Sequence, residues 1–516
     1  PPQYTQYRLR VAVIIEVKSL HTAVNIGIQS LRTPSTMEIS FFEKGETNRA
    51  NDQKPIKEFA QKDLDIIDEQ VTKYSEEAIK LKEEAHRRNT SYIYRVLPRL
   101  KDINGSSLYE PNMVSIGPYY YKQRKEKFQM AEDCKRKCFG SLLAKKTLDK
   151  DKQIDMYKRW LQRIGQLEEK IRNCYSEKFD VDGIEFLEMM VVDACFIMEI
   201  IEMFRTGTSK AVQYSSESDL GALAWMVPYF YRDFLLLENQ IPFFVLEEIY
   251  ALTHDKSVNT INSGSDLMLA ALRFFKNGMK KSGFSIIYGY WRINLFEFDT
   301  VVLHLLDLVR RSLIPASNIR QRQIGPLVDS PFIHCISKLR LAGIKVSRRK
   351  AQSFLEVKFK RGVIEMPNIA IDDFMRCLLL NSVAFEQCHQ RSSKYFTAYA
   401  TFLDCLMNTK EDVEYLRERN VLDINYLAED SDVAQFINRA GKDLVLNDDN
   451  GFYLQKLFAD VEKHYQKRWK WKWASFKREY FDKPWLLLSA AGGILLVLAT
   501  SFQAVMAFLT YKYKNC

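Results

Sequence analysis

The chain has 516 residues, of which 47% are hydrophobic, 13% aromatic and 27% charged, a composition that can bury large cores and differs from disordered, collagenous or disulfide-scaffold chains. Its formal charge of +10 comes from 75 Lys+Arg against 65 Asp+Glu. Ten bases and two acids lie from Lys463 onward, so the preceding part is close to neutral, offers no track for phosphates, and is not expected to bind nucleic acid.

The first 55 residues are expected to form a weakly ordered N-terminal segment. Their short apolar run, VAVII within Tyr7–Val17, is too short for a secretory core or a membrane span. In 56–90 the pattern sharpens. Leu64, Ile67, Val71, Tyr74, Ala78, Leu81 and Ala85 recur at alternating spacings of three and four over three heptads. This predicts a helix with a narrow apolar seam, which either packs on its own domain or pairs with a partner as a coiled coil.

Residues 91–480 read as a helical body, divisible into lobes at 91–320 and 330–480. Phe186, Met190, Asp193, Ile197, Ile201 and Phe204 share one helical face, which places Asp193 in an apolar stripe where a carboxylate needs a partner. In DFLLLENQIPFFVLEEIY (233–250), Asp233 opens an apolar run that Glu238, Asn239 and Gln240 interrupt. Pro242 then suits the first turn of a new helix. Leu355-Glu-Val-Lys-Phe359 alternates with period two, and Arg361-Gly362 turns it toward Val363–Met366, predicting a β-hairpin. Thr409-x-x-Asp412 fits a capping box at the start of another helix.

No Gly-rich phosphate loop, nucleophile elbow, helical zinc-binding pair or paired Cys motif occurs. No cofactor and no metal are expected. Nine cysteines are too sparse for a disulfide scaffold, and reduced thiols are expected; Cys134-x-x-x-Cys138 reads as ordinary packing. Asp193, Asp233, Glu238 and Glu386 are acids in apolar surroundings. If two converged, burial would raise one pKa and leave the other carboxylate ionised, the arrangement a membrane-anchored hydrolase or transferase would use. The favoured reading bonds them to Arg side chains or helix ends in the core, with no catalytic activity.

Trp485–Leu509 is 25 residues without a charge, against about 20 needed to cross a bilayer core. Trp469, Trp471, Trp473, Lys483 and Trp485 flank it on one side, and Tyr511 on the other, residue types that favour the headgroup level. A transmembrane helix at 485–509 with a short tail, 510–516, is expected. Basic residues concentrate before the span, which puts the body in the cytoplasm and lays Lys463–Lys483 against anionic lipid. Asn89-Thr-Ser91 and Asn104-Gly-Ser106 fit the glycosylation pattern, which also arises often by chance.

Nine segments in order carry a family resemblance: YIYRVLPRL (92–100), VSIGPYYY (114–121), FLEMMVVDACFIMEII (186–201), DFLLLENQIPFFVLEEIY (233–250), HLLDLVR (304–310), VKFKRGVIEMPNIAIDD (357–373), NSVAFEQC (381–388), FLDCLMNTKEDVEYLRERNVL (402–422) and YFDKPW (480–485). From Tyr92 to its end the chain resembles the plant membrane-protein family known as domain of unknown function 247. It departs from the usual pattern at Tyr120, where the family shows His, and at Ala194, where it shows Gly. The resemblance implies a plant protein with a helical body, one C-terminal anchor and no established activity. Some grass members are proposed as pollen-side determinants of self-incompatibility, which would make the body a recognition surface. The expected fold is mainly α: a multi-helix globular body with a small β-hairpin element and one C-terminal transmembrane helix. The expected partners are membrane lipid and an unknown protein.

Overall fold

Helices dominate because apolar side chains recur at three- and four-residue spacing through most of the chain. In the computed structural model, residues 61–203, 225–254, 261–280, 301–315, 332–424, 429–446, 452–467, 471 and 484–514 are described. The N-terminal segment 1–55 and the flanking residues Trp469, Trp473 and Lys483 lie outside them. The chain divides into two units, residues 1–73 and 74–516. Eighteen helices and five short strands form among the described residues, which is the mainly α class expected.

The described part of the first unit, 61–73, is wholly helical and belongs to α1, Gln61–Thr90. The heptad pattern is thus realised as a helix, but no described residue covers its seam. Leu64, Ile67, Val71, Tyr74 and Leu81 are between 38% and 64% exposed.

The second unit begins with short helices, α2 (Pro98–Asn104) and α3 (Arg124–Lys127), then α4 (Gln129–Lys146), α5 (Lys150–Gly165) and α6 (Glu168–Asn173). At its centre is α7, Gly183–Glu202, opened by the Asp182 carboxylate, which accepts from the Gly183 N–H at 2.9 Å. Its apolar residues run round nearly the whole circumference, as a helix buried on all sides requires. It packs against α4 and α5 and against two later helices, α9 (Phe243–Thr253) and α10 (Ile261–Lys280). Between α7 and α9 lies α8, Val227–Asp233, and Pro242 caps the N-terminus of α9, one position before its first turn. Helix α11, Leu305–Leu313, completes this half.

In the second half, α12 (Ile336–Leu341) precedes β1 (Lys345–Arg348), β2 (Lys358–Lys360), β3 (Val363–Met366) and β4 (Ile369–Ile371). Then follow α13 (Asp373–Cys388), α14 (Tyr395–Leu406), α15 (Lys410–Glu418), β5 (Leu422–Ile424), α16 (Asp430–Ala440) and α17 (Gln455–Tyr465). Helix α13 is the joint: it packs against α14 and also against α8, α10 and α11, and one apolar core runs from Ile93 to Val461. The capping box forms at α15, where the Asp412 carboxylate accepts from the Thr409 N–H at 3.2 Å.

The predicted hairpin is present as β2 and β3, paired antiparallel with Phe359 opposite Ile364. Its two turn residues, Arg361 and Gly362, both have positive φ, 52° and 84°, as a two-residue turn matching the strand twist demands. Pairing starts at Lys358 rather than Leu355, because Leu355 is buried in the core. The hairpin is part of a larger sheet, since β1 adds in parallel to β3. A second parallel pair joins β4 to β5, with Ile369 opposite Leu422. These additional strands are three or four residues long, too short for a period to show in sequence.

The last helix, α18, spans Pro484–Lys514. Within it Ala491–Tyr511, 21 residues of mean hydropathy 2.0 with none of them buried, is long and apolar enough to cross a membrane.

Candidate functional site

Between Asn112 and Tyr120 the backbone forms no helix or strand, yet much of it is buried, so its N–H and C=O groups must find partners elsewhere. Side chains of α7, of the end of α8 and of the loop after it supply them. Asp233, the last residue of α8, accepts from the N–H groups of Asn112, Met113 and Val114 at 3.1, 2.7 and 3.0 Å. Burial pushes its carboxyl pKa up, and the three N–H bonds work against that. Asn239 bridges loop to loop. Its Oδ1 accepts from the Ile116 N–H at 2.7 Å, and its Nδ2 donates to the carbonyls of Val114 and Asp233 at 3.0 and 2.9 Å.

Asp193 closes the next position, accepting from the Gly117 N–H at 2.8 Å. It is completely buried and has two cationic partners, Arg124 at 2.6 Å and Lys135 at 2.7 Å. Arg124 also donates to the Gly117 carbonyl at 2.9 Å, and Lys135 pairs with Glu132 at 2.6 Å. Burial alone would raise the Asp193 carboxyl; Arg124 and then Lys135 outweigh it and hold the pKa below the usual carboxylate range. The same burial, with Arg124 adjacent, lowers the Lys135 ammonium.

Glu238 ties the Tyr120 end of this loop to residues 95–101. Its carboxylate accepts from the Val96 N–H at 2.8 Å and the Tyr120 hydroxyl at 2.6 Å, and pairs with Lys101 at 2.7 Å and Arg95 at 3.1 Å. Burial would raise its pKa, but bonds from Lys101 and Tyr120 lower it overall. Gln240 ties its own loop, donating to the carbonyls of Phe234 and Leu236, each at 2.8 Å. Asp193, Asp233, Glu238 and Asn239 therefore each bond to the 112–120 loop, and Asp193 and Glu238 also bond to cationic side chains outside it.

Glu386 stands apart on α13. It is completely buried, paired with Arg310 at 3.1 Å, and accepts from the Thr397 N–H and hydroxyl at 2.8 and 2.9 Å. Burial raises its pKa and Arg310 opposes the rise. Alongside, His304 caps α11. Its Nδ1 accepts from the Asp307 N–H and its Nε2 lies against the Tyr92 carbonyl, both at 3.2 Å. Burial pushes this imidazole down to about 4. Asn381, also on α13, accepts from the Leu237 N–H at 3.0 Å and donates to the Leu108 carbonyl at 3.1 Å.

An acid/base pair needs two carboxyl groups that face a common substrate position. These four do not form one, since each is closed off by the partners just named. Among the described residues no cluster of three or more His, Cys, Asp and Glu side chains is placed to hold a metal ion. Cys138 is a buried free thiol whose pKa burial pushes up to about 12, an unreactive setting. Arg124, Lys135, His304, Arg310 and Asn381 are polar-core residues that sequence reasoning did not identify. Their surroundings, such as KQRKEK (122–127) and DCKRKC (133–138), read as solvated charge.

At the C-terminal flank, the Trp471 indole N–H donates to the Tyr465 carbonyl at 2.7 Å, so this ring packs on the end of α17. Trp485 and Tyr511 are exposed on α18.

A profile of the DUF247 family, plant protein of unknown function, matches residues 93–499. UPF0481 protein At3g47200 of Arabidopsis thaliana is 32% identical over 440 residues, covering 81% of this chain and 86% of the relative. Putative UPF0481 protein At3g02645 of the same plant is 24% identical over 481 residues, covering 77% of this chain and 86% of the relative. No solved structure matches. The profile takes in every polar-core residue above, and helix α1 lies before it.

Proposed function

The chain belongs to the DUF247 family of plant proteins of unknown function, and from that membership we propose a membrane-anchored recognition protein whose body binds a protein partner by surface complementarity, without chemistry of its own. The observation that carries the reading is the uncovered apolar stretch Ala491–Tyr511. A buried core helix would hide such a stretch, and 21 residues at about 1.5 Å rise span the roughly 30 Å of a hydrocarbon core. The polar core supports the second half of the proposal. Asp193, Asp233 and Glu238 are taken up in fastening a loop, so what the body offers is a shaped surface on a fixed frame.

The ten bases from Lys463 onward, eight of them before the span, favour a cytoplasmic body with its basic flank on anionic lipid. In its finer form the reading is the pollen-side self-incompatibility determinant that resemblance to grass members implies. Exchange of the body between two pollen genotypes, scored by rejection on the matching stigma, tests that form. The anchor is tested by expressing the full chain and a chain lacking residues 484–516 in plant cells, followed by alkaline carbonate extraction. The full chain is expected in the membrane pellet and the shortened one in the supernatant. A shortened chain that stays in the pellet counts against α18 as the sole anchor.

A further inference from the structure

Helix α1 has an apolar seam that no described residue covers, and its charge is divided along its length. Gln61–Glu77 carries six acids against two bases, a net of −4, while Ala78–Thr90 carries four bases against two acids, a net of +2. A helix with an acidic first half and a basic second half complements a copy of itself only when the copy runs the other way. A parallel pair would set acid beside acid and base beside base. We infer that α1 is a self-association element, pairing antiparallel with α1 of a second copy of this chain.

The heptad positions support that geometry in detail. With Leu64, Val71, Ala78 and Ala85 at the first apolar position and Ile67, Tyr74 and Leu81 at the second, an antiparallel overlap of nearly the whole helix sets large side chains against small ones. Tyr74 meets Ala78 of the other copy, and Ile67 meets Ala85, the complementarity that knobs-into-holes packing requires. In this register the residues flanking the seam on one side are Asp68 against Lys82, formed twice by symmetry, with Ser75 against Ser75 between them. All three are exposed. On the other side Glu77 meets its own counterpart, with Lys73 one turn before it to offset the like charge. Three heptads give a marginal pair in free solution. Attachment of both copies to one surface raises their effective concentration and favours the pair, although the charge pattern holds with or without an anchor.

The test uses the full chain in detergent micelles. Ser75→Cys places a thiol at the centre of the antiparallel pair, whereas Leu64→Cys brings two thiols together only in a parallel one. Under mild copper oxidation, with the native thiols as background, Ser75→Cys is expected to give a covalent dimer severalfold above background and Leu64→Cys none. Lys82→Asp is expected to lower the dimer fraction about tenfold at fixed concentration, and the exchanged variant Asp68→Lys/Lys82→Asp to recover it. The recovery separates lost pairing from lost folding. A monomeric wild type, cross-linking through Leu64→Cys in place of Ser75→Cys, cross-linking to some other protein only, or no recovery in the exchanged variant would overturn the inference.

Discussion

The backbone of Gly117 passes so close to the carbonyl oxygen of Gln240 that a Cβ on it would stand 2.5 Å away. Gly117 also has φ of 70°, where an L side chain is strained. The neighbouring atom is backbone held by its own bonds and cannot turn aside. Gly117→Ala is therefore expected to destabilise the body by about 2–4 kcal/mol, combining overpacking with backbone strain. Denaturant unfolding monitored by tryptophan fluorescence measures this, and an unchanged midpoint would show that the loop approach is looser than described.

Arg124, Lys135, Asp193 and Glu132 form a quartet whose two positive and two negative charges cancel. Asp193→Asn keeps the shape and removes one charge, leaving a buried cationic excess, and is expected to lose about 3–5 kcal/mol. Adding Lys135→Met restores the balance. The double variant should be more stable than the sum of the two single losses, and a strictly additive double-mutant cycle would contradict the coupling.

His304 and His389 both have imidazoles pushed down by burial to about 4. A histidine with a folded pKa below its unfolded value of about 6.5 binds more protons when unfolded, so its contribution to stability is present above that value and is lost as pH falls toward 4. Asp307, Arg310 and Arg311 are charged groups around this pair, and the two arginines oppose a further positive charge. Protonating Nδ1 of His304 would also end its acceptance of the Asp307 N–H. Asp233 and Glu386, whose pKa values are raised, act with the opposite sign, since their protonated forms suit the fold. The informative measurement is thus a comparison. His304→Asn retains a capping acceptor without titrating and should flatten the fall in stability between pH 6.5 and 4; an identical pH slope would remove His304 as its source.

Of the two glycosylation-pattern asparagines, Asn89 is exposed at the end of α1. Asn104 is half-buried, with its Nδ2 donating to the Leu100 carbonyl at 3.2 Å and the Tyr109 hydroxyl at 3.3 Å. A body in the cytoplasm should carry glycan at neither. Glycosidase treatment of protein from plant membranes, with Asn89→Gln as the control, reads this out. A mobility shift that depends on Asn89 would reverse the orientation proposed for the body.

Much of the frame was legible from local pattern. Periodicity located α1 and α7, the Arg361-Gly362 turn located the hairpin, and the Glu238-Asn239-Gln240 interruption marked a place where polar groups enter the core. What the interruption is for was not legible, because Glu238 and Asn239 accept from backbone N–H groups more than 120 residues away, and a backbone N–H is the same at every residue but proline. Lys135 illustrates a second limit. In DCKRKC three basic residues look alike, and only the turn of α4 toward α7 decides that Lys135 is buried while its neighbours are not. The parallel pairs β1–β3 and β4–β5 needed tertiary context for the same reason, since strands of three or four residues carry no period of their own.

The dependence of the loop at 112–120 on later residues also sets an order of events during synthesis. Gly117 leaves the ribosome 76 residues before Asp193, and Ile116 leaves 123 residues before Asn239. At translation rates of about 5–20 residues per second, the loop waits for several seconds or more with its amides bonded only to water. The loop therefore cannot reach its final bonding until α7 and the loop after α8 have been made.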